Sequence, residues 1–121
     1  MTYIPKEIGN LINLKYLNLD INEIVSLPPE ISKLLKLCTL DIARNNLESR
    51  PLEIGKLTNL IGLGLSGNKL KVLPDEIGNL RNLKSLALIN NHLKSLPDTF
   101  ENLTNLTGPS SKKLYLSYQK I

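Results

Sequence analysis

The sequence predicts an α/β solenoid, a stack of short coils. One side is a parallel β-sheet lining a concave face, and the other carries short helical, 3₁₀ or extended returns. Three observations carry that prediction. Leu14, Leu37, Leu60, Leu83 and Leu106 follow one another at a constant 23 residues (37−14, 60−37, 83−60, 106−83). Around the first four the same apolar, asparagine and proline positions recur in phase, and internal repetition of this length is the mark of a stacked architecture. Hydrophobic residues make up 41% of the chain but aromatics only 4%, with no Trp, so the core must be assembled from regular layers of Leu and Ile. At 121 residues the chain has room for a single domain.

Each unit has the form L-x-x-L-x-L-x-x-N-x-L-x-x-L-P-x-x-I-x-x-L-x-x. The third shows it without interruption, through Leu60, Leu63, Leu65, Asn68, Leu70, Leu73, Pro74, Ile77 and Leu80. Full units are expected at 14–36, 37–59, 60–82 and 83–105, preceded by half a unit over 1–13 with Ile4, Pro5, Ile8 and Leu11 in register. The L-x-L step alternates with polar residues, which is the period of a half-buried strand, so strands are expected around Leu17-Leu19, Leu40-Ile42, Leu63-Leu65 and Leu86-Leu88. The recurring asparagine (Asn22, Asn45, Asn68, Asn91) both donates and accepts, which suits it to satisfying buried backbone groups at a bend. The Leu-Pro step fixes an extended segment, and P-x-x-I-x-x-L spacing fits a short 3₁₀ return. No unit can bury its apolar side alone, so stability must come from neighbouring coils.

Several positions depart from the pattern. Arg50 stands in the column of Leu27, Leu73 and Leu96, and its head is expected to turn outward, near Glu30 or Glu53. Phe100 replaces the isoleucine of Ile31, Ile54 and Ile77, and Glu101 falls at the Gly9, Gly55 and Gly78 column, which suggests a last full coil of different shape. After Leu106 the register slips by five (111−106), and the strand motif resumes at Leu114 and Leu116. Residues 106–121 are read either as a degenerate fifth strand behind a Gly108-Pro109 loop or as a tail. Neither end shows a polar cap, which suggests a fragment of a longer array, or open ends that self-associate.

The residues resemble the 23-residue class of leucine-rich repeats with an L-P-x-E-I-G-x-L signature. Leu73-Pro-Asp-Glu-Ile-Gly-Asn-Leu80 is nearly identical to it, and so is Ile4-Pro-Lys-Glu-Ile-Gly-Asn-Leu11. The class is similar to the Ras-group proteins, including plant intracellular Ras-group repeat proteins, Ras-suppressor and Ras-scaffold proteins, yeast adenylate cyclase and the Scribble and Erbin family. Similar arrays occur in bacteria, spirochaetes among them. The resemblance implies a horseshoe fold and a scaffolding or recognition role, with small GTPases or phosphatases as partners and no catalysis.

Charge and motifs narrow the function classes. The formal charge of +4 is spread along the chain apart from Lys112, Lys113 and Lys120, and lacks the concentrated, aromatic-interleaved patch of a nucleic-acid binder. The single Cys38 can form no intrachain disulfide, and no basic-then-apolar leader or membrane-length apolar run is seen. The expected location is cytoplasmic, with a secreted bacterial effector as the alternative. The sequons at Asn102 and Asn105 are short enough to arise by chance. Gly62-Leu-Gly64-Leu-Ser-Gly67 satisfies G-x-G-x-x-G, but Leu63 and Leu65 are strand leucines and position 87 is Ala where a dinucleotide site needs an acid. Gly55-Lys-Leu-Thr lacks the earlier glycine of a phosphate loop. His92 is the one histidine, so it can anchor no triad or metal cluster, and Cys38 is read as filling a gap. No enzyme activity, cofactor or metal is expected.

The variable columns flanking the strand leucines remain. They predict a concave partner-binding face built from Tyr16, Asn18 and Asp20, then Thr39, Asp41 and Arg44, then Gly62 and Gly64, then Ser85 and Ile89. Tyr115 would be added from the degenerate strand. Ile21, Ala43, Ser66, Gly67, Ala87 and Asn90 fall in the same columns, and Lys113, Ser117 and Tyr118 would join them from the tail. The bare middle at Gly62-Gly64 reads either as a floor that admits a partner element or as small residues that accommodate curvature. Functionally the chain is read as a non-catalytic scaffold or protein-interaction module. The alternatives are the substrate-recognition arm of an enzyme whose catalytic domain lies elsewhere, such as a bacterial effector or a kinase, and a structural or engineered repeat without a natural ligand.

Overall fold

The computed structural model describes residues 1–107 of the chain. Four three-residue strands, β1 (Tyr16–Asn18), β2 (Thr39–Asp41), β3 (Gly62–Gly64) and β4 (Ser85–Ala87), form one parallel sheet in sequential order. The register never slips. Leu17 faces Leu40, Leu40 faces Leu63 and Leu63 faces Leu86. Each strand starts one residue earlier than the leucine pairs suggest, so Leu19, Ile42, Leu65 and Leu88 lie just beyond the strand ends. They remain tied to the sheet, since Leu19 N–H donates to Asp41 O (2.7 Å), Ile42 to Gly64 O (2.8 Å) and Leu65 to Ala87 O (2.8 Å).

Opposite the sheet run five 3₁₀ segments, Lys6–Asn10, Pro29–Lys33, Leu52–Lys56, Asp75–Asn79 and Asp98–Asn102. Each follows a proline, which gives all but the Leu52–Lys56 segment an extended entry, and each closes when a leucine N–H reaches back three residues, as Leu57 does to Ile54 O (2.9 Å). Between the layers lies a continuous aliphatic core in which Leu37, Leu40, Leu60 and Leu65 are fully buried. At the outer edge of the stack Leu14, Leu17 and Leu19 are only half-buried, because each repeat column gains cover from the coil on either side.

The asparagine column closes the bend as expected. Asn68 donates through Nδ2 to Leu65 O of its own coil (3.0 Å) and to Ile42 O of the coil before (3.0 Å), while its Oδ1 accepts from Leu47 N–H (3.0 Å). Asn45 and Asn91 repeat the pattern.

The departures fall out differently from expectation. Phe100 is buried at 1% exposure, and Pro97 (φ −65, ψ 153) matches Pro28 (−71, 149) and Pro74 (−71, 151), so the fourth coil is regular. A phenyl ring fills the isoleucine slot without moving the backbone. The irregular coil is the second, where Pro51 adopts ψ 70 beside an exposed Arg50. The guanidinium turns out to solvent, as its desolvation cost requires, but it forms no ion pair with Glu30 or Glu53 among the described residues.

Candidate functional site

The alternation of β1–β4 sends their central leucines inward and both flanking rows outward. Tyr16, Thr39, Gly62 and Ser85 form one row, and Asn18, Asp41, Gly64 and Ala87 the next. Past the strand ends a third row holds Asp20, Ala43, Ser66 and Ile89, and a fourth Ile21, Arg44, Gly67 and Asn90. The described candidate residues are thus gathered on one sheet face, with Tyr16 at 71%, Ile21 at 66% and Ile89 at 61% exposure. Tyr115, Lys113, Ser117, Tyr118 and the loop at Gly108-Pro109 lie outside the described residues.

Several of these side chains are already engaged. Asn18 Oδ1 accepts from Asp20 N–H (2.9 Å) and Asp41 Oδ1 from Ala43 N–H (3.0 Å), capping the strand exits in the manner of Asx turns. Arg44 forks onto Asp20 of the preceding coil, Nε to Oδ1 at 3.3 Å and Nη2 to Oδ2 at 2.5 Å. The hydrogen bond donated to Asp20, then the charge of Asp20, with a smaller push from Asp41, raises the arginine above its ordinary value. The fork presents a cation next to Ile21, in the fourth outward row.

The bare floor is not uniform. A Cβ at Gly62 would meet only Thr39 Cγ2 at 3.7 Å, an ordinary contact. At Gly64 it would fall 2.8 Å from Asp41 Oδ1, the oxygen that caps Ala43. A substitution such as Gly64→Arg, which as a solvent-facing change should leave stability nearly intact, instead displaces that carboxylate. Gly64 is small so that Asp41 can fold over it.

The fourth row holds a feature that the repeat pattern does not advertise. Ile21 (φ 56), Arg44 (φ 56), Gly67 (φ 71) and Asn90 (φ 62) all lie in the left-handed region immediately before the bend asparagine. Gly and Asn suit it, whereas the β-branched Ile21 is strained and exposed at once.

Two further surfaces were missed by sequence reasoning. The residue ahead of each strand shares its carbonyl between two donors, as Cys38 O does with Ile61 N–H (2.7 Å) and Gly62 N–H (3.1 Å). That places Lys15, Cys38 and Ile61 along a shallow depression of about 380 Å³ with Lys36, Asn59 and Asn82. Cys38 is half-buried there, with Sγ 3.5 Å from Lys36 O, and so lines a surface instead of filling a core gap. Asn13, Asn59, Asn82 and Asn105 recur at one column, and the last three donate to the carbonyls of Leu35, Thr58 and Arg81 in the coil before, a second ladder readable from the Asn-Leu dipeptides. On the other flank Glu48, Ser49, Lys69, Lys71 and His92 line a depression of about 500 Å³. Among the described residues no three His, Cys, Asp or Glu side chains converge as metal ligands, and no helix is long and apolar enough to cross a membrane.

The geometry has counterparts among known proteins. A leucine-rich repeat protein of Leptospira interrogans is 42% identical over 99% of this chain and 32% of its own length, with a TM-score of 0.87. The ectodomain of the Arabidopsis thaliana membrane receptor kinase GASSHO1/SCHENGEN3, solved in complex with Casparian strip integrity factor 2, is 41% identical over 87% of this chain and 13% of its own, with a TM-score of 0.79. The Arabidopsis HAESA receptor kinase ectodomain, solved with a peptide hormone ligand, is 32% identical over 88% and 19%, with a TM-score of 0.80. The chain therefore spans a third or less of each of these proteins. No curated protein matches it. The model for a leucine-rich repeat region matches residues 2–107. With its strand register, its asparagine ladder and this match over nearly all of its length, the chain belongs to the leucine-rich repeat family.

Proposed function

We propose that this chain is a non-catalytic recognition module that receives a protein partner on the outward rows of its parallel sheet. One observation carries the reading. Buried columns repeat almost without change, while the outward positions of the same strands differ from coil to coil and are held in fixed register. A sheet that is already ordered presents those side chains with little entropy left to lose on binding. Tyr16, Ile21 and the Arg44–Asp20 fork supply aromatic, aliphatic and cationic contacts at one end, and Gly62 leaves a low floor beside them. Tyrosine and arginine are the residue types that most often dominate interface energies. Receptor kinase ectodomains that share the fold have been solved with a peptide hormone ligand or with Casparian strip integrity factor 2, which supports a polypeptide ligand here. The Ras-group resemblance points to a small GTPase or phosphatase and to a cytoplasmic scaffold in signalling.

The test is capture from a lysate of the source cells with the parent and two variants, quantified by mass spectrometry. Gly62→Arg raises the floor where a side chain has room, and Lys56→Glu alters the 3₁₀ side. The expected result is a partner lost by Gly62→Arg and kept by Lys56→Glu, with both variants melting like the parent. A partner retained by Gly62→Arg would overturn the sheet-face reading.

A further inference from the structure

The flank on which the chain leaves the sheet is built with its charges sorted by sign. Backbone bonds set its residues side by side, since Asn46 N–H donates to Ile24 O, Lys69 to Leu47 O and His92 to Leu70 O, all at 2.9 Å. The column therefore reads Glu23, Asn46, Lys69, His92 through the four coils, and two residues on the next column reads Val25, Glu48, Lys71, Lys94. All six ionisable side chains are exposed, and none forms an ion pair among the described residues. The ionisable residues of the first two coils are both acids here, and those of the last two are three lysines and His92.

We propose that this flank is a homodimer interface, on which two copies of the chain meet with their coil orders antiparallel. Consider a two-fold axis lying in the plane of the flank, across the stack between the second and third coils. It exchanges first coil with fourth and second with third, and leaves each column facing itself. Glu48 then faces Lys71 of the second copy and Glu23 faces His92, and symmetry makes each contact twice. The opposite orientation, coil on like coil, sets acids against acids and cations against cations. An acidic partner would match the basic half but meet Glu23 and Glu48 with like charge, whereas a second copy sets Glu48 on Lys71 twice and places Lys69 and Lys94 against the uncharged Asn46 and Val25. Val72, next in sequence to Lys71 and 53% exposed, adds apolar contact.

The contacts are solvent-exposed charge pairs, so the dimer should be weak and salt-sensitive. In sedimentation equilibrium at low ionic strength, the weight-average mass should rise with concentration towards twice the monomer, and fall back at about 0.5 M salt where exposed charges are screened. Glu48→Lys or Lys71→Glu alone should each weaken self-association by about tenfold or more, since one substitution sets two like-charge contacts. Mixing the two variants should restore a heterodimer, because each then offers the charge the other lacks. Thermal melts of both should match the parent. The proposal is overturned by a parent that stays monomeric at low salt, including one that binds polyglutamate instead, which would assign the cationic half to an acidic partner. It is also overturned by association that ignores both reversals, which would place the contact elsewhere on the chain, or by single variants that dissociate and do not recover on mixing.

Discussion

Two asparagine ladders run through this solenoid with the same residue, the same period and the same donor, yet they stand in different surroundings. In the inner ladder Asn45 and Asn68 are 5% exposed, and each satisfies backbone groups of two coils with both ends of its amide. In the outer ladder Asn59, Asn82 and Asn105 are exposed, and each makes one bond to the preceding coil. Water can replace the amide in the second case and cannot reach the first. Burial and the larger number of bonds together make the inner column the one the fold depends on.

Substitutions can break or sharpen that contrast. Asn68→Ala strands Leu47 N–H away from solvent and leaves the carbonyls of Ile42 and Leu65 with one donor each, from Asn45 and Asn91, and should lower stability by about 2 kcal/mol in chemical denaturation. Arg50→Leu lies outside both ladders and asks whether the leucine column can be repaired. Added apolar burial should raise stability by about 1–2 kcal/mol and return Pro51 to the extended entry of its counterparts. A lower melting temperature would show that the exposed arginine makes a structural contact. Ile21→Gly tests whether the bend asparagine imposes the left-handed residue before it, and should stabilise by about 1 kcal/mol, a gain against intuition for removal of an apolar side chain. Asn59→Ala, in the exposed ladder, should cost only about 0.5 kcal/mol. A loss there as large as that of Asn68→Ala would erase the distinction between the ladders.

Legibility in the sequence followed the same division. Columns fixed by burial, such as Leu40, Leu63 and Asn68, repeat and could be read directly, as could the outward placement of Tyr16 and Ile89. Conditions imposed by backbone geometry left no compositional trace. The left-handed row contains Ile, Arg, Gly and Asn, so no residue type announced it. Gly64 looked like open floor because the feature that limits it is the Asp41 carboxylate of the neighbouring coil, 23 residues earlier (64−41). Phe100 looked disruptive and was absorbed, because an apolar ring can stay buried in the isoleucine column, whereas the charged head of Arg50 has to reach solvent. The outer asparagines were visible as recurring Asn-Leu pairs but carried no distinctive chemistry until their carbonyl partners were placed.

The unslipped register also sets how such a protein can change in length. Inner-ladder bonds join residues 21 and 26 apart, outer-ladder bonds join residues 24 apart, and every strand pair is offset by one repeat. Removing or duplicating one whole coil preserves all of these separations at the new junction. Gain or loss of a single residue inside a coil moves an asparagine off its carbonyls and turns a leucine to solvent. Viable length variants in a lineage should therefore be counted in whole coils, and a gene encoding such an array can lengthen its recognition surface by unequal recombination without inventing a new fold.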